Sequence, residues 1–132
     1  MRQELEWKLY EKYPSLFIEQ SLPATKSLMC FGPCYGDGWF DIIERICGEL
    51  NGFEGISFCQ IKQKFGSLRI YVTYRENVPK SEYEAVESIL EKYEIESGKT
   101  CEDCGKPGKM RSGGWITVRC DECENKRNSK QS

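Results

Sequence analysis

Residues 101–123 read CEDCGKPGKMRSGGWITVRCDEC: Cys101 and Cys104 form one C-x2-C pair, Cys120 and Cys123 a second, and fifteen residues separate them. That is the spacing of a four-thiolate zinc site. Each C-x-x-C pair turns tightly enough to aim two sulfurs at one ion, and the intervening hairpin brings the pairs together. Four thiolates close the tetrahedron and leave no position for substrate, so the expected Zn2+ is structural rather than catalytic. Such a hairpin buries too little to fold without the ion. Trp115 and Met110 are its expected core, Gly105 follows the first knuckle, Gly113 and Gly114 supply the turn, and Trp115 to Val118 the strand before the second knuckle. Beyond Cys123 the tail KRNSKQS has nothing to bury and reads as disordered.

Moving towards the N-terminus, GISFCQIKQKFGSLRIYVTY (55–74) alternates apolar and polar residues on both sides of Phe65-Gly66, the pattern of a β-hairpin. A two-residue loop sets Lys62 against Arg69, Ile61 against Ile70, Gln60 against Tyr71 and Cys59 against Val72. Ile61, Ile70, Cys59, Val72, Leu68 and Tyr74 then share one face. After Pro79, Ser81 and Glu84 form a capping box, opening a helix through Val86, Ile89, Leu90 and Tyr93 to Gly98 that covers the hairpin. Before the hairpin, Trp39, Ile42, Ile43, Ile46, Cys47 and Leu50 recur on one helical face, with Asn51 and Gly52 as a left-handed stop. Leu5, Leu9 and Tyr13 mark a short opening helix closed by Pro14. Residues 20–38 read as irregular chain around a short apolar stretch, Ser27 to Phe31. The fold class is α+β: a small antiparallel hairpin sheet packed with helices, plus a C-terminal zinc ribbon. Its units are a body (1–98), a ribbon (99–126) and a disordered tail (127–132).

Charge and composition exclude several classes. Residues 1–98 carry eleven Lys/Arg against sixteen Asp/Glu, and residues 99–132 carry eight against five, for a net −2. Metallation adds −2 to the basic ribbon, since four thiolates outweigh one Zn2+. Histidine is absent, which removes Ser-His-Asp and Cys-His catalysis and histidine-bearing zinc sites. Arg2, Glu4, Glu6 and Lys8 interrupt any apolar start, and no stretch approaches the ~18 apolar residues of a span. A cytoplasmic protein without a membrane partner is expected, its cysteines serving as ligands and buried thiols rather than disulfides. Cys30 and Cys34, as C-x3-C, supply half a second tetrahedron at most, while Cys47 and Cys59 map to interior faces.

Two further features admit either a ligand or a purely structural role. The turn FGPCYGDGWF (31–40) offers helix N–H groups to an anion, yet Asp37 can take those donors itself as an N-cap. On the solvent side of the hairpin, Lys62 opposite Arg69 needs a counter-charge, with Lys64, Gln60 and Tyr71 nearby. Asp41 or Glu44 supplies it, or a phosphate or acidic partner does. Asp37, Trp39, Lys62, Lys64, Arg69 and Tyr71 are therefore the candidate ligand-binding set, combining cations for phosphate with aromatics for stacking. The ribbon cations Lys106, Lys109, Arg111, Arg119, Lys126 and Arg127 form an alternative, nucleic-acid-binding face. Asp37, Asp41 and Glu44 are candidate acids or bases, but no nucleophile–base pair accompanies them, so no catalytic residue is assigned.

The strings CYGDGWFDII, QIKQKFGSLRIYV, CEDCGKPG and GGWIT, in that order after EKYPSLF and before the last C-x2-C pair, resemble a family of small tailed-phage and prophage accessory proteins. The resemblance spans most of the chain and carries no assigned activity. It implies a phage protein acting in the host bacterial cytoplasm. Genes of this kind often encode inhibitors of host defence that bind a host protein or an anionic, nucleotide-type signal. The expectation is thus a non-enzymatic binder acting through the α+β body, with the zinc-ribbon nucleic-acid binder as the alternative.

Overall fold

Apolar residues three and four positions apart draw Phe40–Leu50 into a helix whose Ile42, Ile43, Ile46, Cys47 and Leu50 are all buried. The computed structural model describes residues 3–21, 36–112 and 116–131. Within these ranges the chain runs α1 (Gln3–Lys12), a 3-10 turn (Ile18–Ser21), a second 3-10 turn (Asp37–Trp39), α2 (Phe40–Leu50), β1 (Ile56–Lys64), β2 (Ser67–Tyr74), α3 (Lys80–Ser97), β3 (Lys109–Arg111), β4 (Thr117–Arg119) and α4 (Asp121–Gln131). Two separate two-stranded antiparallel sheets, β1–β2 and β3–β4, give the expected α+β class. The predicted strand at Ser27–Phe31 lies outside the described residues, as do Cys30, Cys34 and Trp115.

The stop of α2 differs from expectation. Asn51 keeps a right-handed conformation at φ −61°, and its N–H completes one more helical bond to the Cys47 carbonyl at 2.9 Å, so no left-handed residue is needed. The opening of α3 differs too. Pro79, extended at ψ 151°, is itself the N-cap and lends its carbonyl to the Glu82 and Tyr83 N–H groups, which places Ser81 inside the first turn with no capping bond to make.

The hairpin keeps the predicted register for Lys62–Arg69, Ile61–Ile70 and Gln60–Tyr71, closed by Phe65 (φ 54°) and Gly66 (φ 80°). Positive φ at both loop positions is the twist-matched two-residue turn. Further along, Phe58 pairs with Val72 and Cys59 becomes the extra residue of a β-bulge, correcting the expected Cys59–Val72 pair. Side-chain size accounts for the bulge. It turns Phe58 and Ile56 onto the face of Ile61, where Phe58 is fully buried and meets the Phe17 ring edge-on at 5.1 Å. The Phe58 N–H points away from β2 and donates to the Leu16 carbonyl at 2.8 Å, tying the segment after α1 to the free edge of β1. Leu9, Tyr13, Leu16, Phe17, α2, the inner hairpin face and Val86, Leu90 and Tyr93 of α3 complete one core.

α3 lies along the outer edge of β2. Ser97 Oγ accepts the Leu68 N–H at 2.8 Å, Glu94 pairs with Arg69 at 2.8 Å, and the Tyr83 and Tyr74 rings meet at 4.8 Å. Helix numbers rise as strand numbers fall, so the two run antiparallel. Fourteen helical residues cover ~21 Å and six strand residues ~20 Å, which keeps them in step along their whole length. Helix also replaces the expected disordered tail, since α4 continues through Gln131.

Candidate metal centre and binding groove

The first cysteine knuckle folds because its backbone closes on itself. Cys101 N–H donates to the Lys106 carbonyl at 2.7 Å and Gly105 N–H to the Cys101 carbonyl at 2.9 Å. Gly105 sits at φ +83°, a conformation glycine adopts without strain, and so returns the chain past Cys104. The second knuckle is the start of α4. Cys120 precedes its first turn, Cys123 lies within it, and the Cys123 N–H points at Cys120 Sγ from 3.4 Å. That N–H holds the Cys120 thiol down at about 7. Burial and the neighbouring sulfurs push the Cys123 thiol upward.

Strands β3 and β4 bring the knuckles together. The four Sγ atoms lie within 4.8 Å of one another, and Cys104 and Cys120 approach to 3.6 Å. A disulfide needs about 2.05 Å, whereas a tetrahedron with Zn–S bonds of about 2.3 Å has edges of about 3.8 Å. All four are free cysteines, so Cys101, Cys104, Cys120 and Cys123 form a set able to hold a metal ion. Soft sulfur donors in this number suit zinc and iron–sulfur chemistry rather than magnesium or calcium.

The expected ribbon core is corrected at Met110, which is 61% exposed because it faces out from β3. Val118 and Cys101 are buried instead, beside a polar cluster that the sequence reading missed. Arg119, only 7% exposed, bonds Thr117 Oγ1, Asp103 Oδ2 at 2.8 Å and Glu102 Oε1 at 3.4 Å. Burial outweighs the Arg119 charge at Glu102 and raises that carboxyl. Gln63 of β1 reaches the same cluster, donating to the Ile116 carbonyl at 2.7 Å. Arg119 is thus committed inside the ribbon rather than facing a phosphate.

Four of the other five ribbon cations are paired as well. Lys106 and Lys126 approach Glu122 at 3.9 and 3.7 Å, and Lys109 and Arg111 approach Asp121 at 3.6 and 2.8 Å. Only Arg127 of the six predicted cations lies outside these pairs among the described residues.

The glycine turn has become a docking surface. Gly38 N–H donates to the Glu102 carbonyl at 2.8 Å. A Cβ on Gly36 would stand 2.2 Å from the Glu102 oxygen, and one on Gly38 2.2 Å from the Cys101 oxygen. The glycines are needed because the first knuckle packs directly on their backbone. Asp37 opens the 3-10 turn and is not the cap of α2; that position falls to Trp39, with no side-chain cap bond. Trp39 is fully buried and donates Nε1–H to the Thr100 carbonyl at 3.0 Å, which makes it a strut between body and ribbon and removes it from any ligand-stacking role.

The remaining ligand candidates stay on the hairpin. Arg69 finds its counter-charge in Glu94 of α3, not in Asp41 or Glu44. The Lys62 ammonium lies 5.7 Å from the Tyr71 ring centroid and the Lys64 ammonium 5.7 Å from that of Phe65; among the described residues neither meets a carboxylate. Arg69 and Tyr71 also line a groove of about 750 Å³ between β2 and α3. Its floor is apolar, with Leu68, Ile70, Val72 and Leu90, and Glu87, Glu91 and Glu94 line its α3 side.

No family model matches the chain, and no curated protein and no solved structure is significantly similar to it. No helix among the described residues is long and apolar enough to cross a membrane.

Proposed function

We propose that the chain is a non-enzymatic binding protein that engages a protein partner through its α+β body, while Zn2+ held by Cys101, Cys104, Cys120 and Cys123 fastens the ribbon to that body. The groove between β2 and α3 carries this reading. Its apolar floor and long dimension suit a polypeptide, and the carboxylates of α3 disfavour the anionic nucleotide that the sequence also suggests. The buried Trp39 and the Arg69–Glu94 pair withdraw two of the groups a nucleotide would have used. Pairing of the ribbon cations likewise counts against nucleic acid. Resemblance to tailed-phage accessory proteins supports a partner in the host bacterial cytoplasm, a component of host defence, inhibited by occupancy rather than by turnover.

Affinity capture of the tagged protein from a bacterial host, after cross-linking, tests the proposal. The expected result is one stoichiometric protein whose recovery falls at least tenfold on Glu91→Lys. Calorimetry against cyclic and ADP-ribose nucleotides is the counter-test. Tight nucleotide binding abolished by Arg69→Ala would replace the protein partner with a nucleotide signal.

A further inference from the structure

The outer edge of β2 is a partly used hydrogen-bonding surface. The register turns the N–H and C=O groups of Leu68, Ile70 and Val72 away from β1 and towards α3. Ser97 Oγ meets the Leu68 N–H, but among the described residues no acceptor meets those of Ile70 and Val72, which line the groove. An edge strand beside an antiparallel helix, with an apolar groove between them, is the arrangement in which an extended peptide adds as a further strand. Main-chain bonds then hold the peptide and the groove reads alternate side chains.

From this geometry we infer that the groove takes a short extended segment of a partner protein, adding to β2 at Ile70 and Val72, with apolar residues alternating with Lys or Arg. The inference rests on the protein-binding reading of the body and deepens it. Length follows from the closed ends. The Arg69–Glu94 pair and the Ser97–Leu68 bond shut one end, and Tyr74, bonded to Glu87 Oε1 at 2.8 Å, bounds the other. About four or five extended residues fit between them at about 3.3 Å each. Charge selects the sequence. Glu87, Glu91 and Glu94 outnumber Arg69 on the walls, so the peptide's outward residues are basic, while its inward residues meet Ile70, Val72 and Leu90.

The probe is the pentapeptide acetyl-Lys-Val-Lys-Val-Lys-amide, followed by backbone NMR and amide exchange on the zinc-loaded protein. Binding should slow exchange at Ile70 and Val72 at least tenfold and leave Leu68 unchanged. N-methylation of the peptide at either its lysines or its valines should abolish binding in one case and spare it in the other, because only one edge of an added strand pairs. Glu91→Lys should weaken binding about tenfold, and the Glu-Val counterpart peptide should not bind. Equal tolerance of both methylation patterns, perturbation centred on Lys62 and Lys64, or no binding at millimolar peptide would overturn strand addition. A captured host protein that is lost on Glu91→Lys yet leaves Ile70 and Val72 exchange unchanged would also overturn strand addition while leaving protein binding by the groove intact. Failure of capture altogether would remove the broader reading as well.

Discussion

Two side chains show how burial rather than residue type decides a role in this chain. Arg119 reads in sequence as one cation of a basic ribbon, but it sits inside, fixed by Thr117, Asp103 and Glu102. Removing its guanidinium leaves the buried Glu102 carboxylate without its cation. Arg119→Ala is expected to lower stability by about 3–5 kcal/mol, read from urea unfolding of the metallated protein. A loss below 1 kcal/mol would mean the cluster is solvated. Cys47 gives the opposite case, an interior thiol that the helical period located correctly. Burial pushes its pKa far upward and excludes reagent, so iodoacetamide followed by peptide mass spectrometry should leave it unmodified until denaturant is added. Helical periodicity is local and survives in one dimension. The partners of Arg119 are fixed by how two knuckles and a strand fold over one another, which no spacing encodes.

At the scale of elements, the hairpin and the glycine turn differ in the same way. Hairpin register was legible because a one-residue slip would have exposed the whole apolar face. The bulge at Cys59 was not, since it depends on Phe17 offering Phe58 a place from about forty residues away. The turn itself carries strain that a substitution can relieve. Phe65 is 63% exposed and holds a left-handed φ of 54°, which costs a non-glycine residue about 1–2 kcal/mol. Phe65→Asn, giving Asn-Gly, should raise stability by about 1 kcal/mol in urea unfolding; an unchanged or lower midpoint would show that the Phe65 ring contributes contacts of its own. The glycine turn was read as an anion site or a cap because its true neighbour, the first cysteine knuckle, lies more than sixty residues along the chain. Gly38→Ala drives a Cβ into the Cys101 carbonyl and should separate ribbon from body. A fall in thermal midpoint of about 10 °C or more is expected, with Gly52→Ala as the harmless control, since nothing lies within 4 Å of that position.

For the molecule as a whole, body and ribbon depend on each other. Trp39, Gly38 and Gln63 all spend their polar groups on the ribbon backbone, so the ribbon is a clamp on the body rather than an appendage tethered to it. A clamp that buries so little is expected to need an ion on its four thiolates. The metal set was fully legible from the cysteine spacing, whereas the groove was not, because it exists only where α3 and β2 lie side by side. Placing the working surface on the body depends on the four-thiolate centre being closed to substrate. X-ray absorption at the zinc edge of the purified protein tests that point most directly. One zinc per chain with four sulfur neighbours at about 2.3 Å is the predicted result. A shell of three sulfurs and an exchangeable oxygen, or protein that folds with no metal bound, would contradict it.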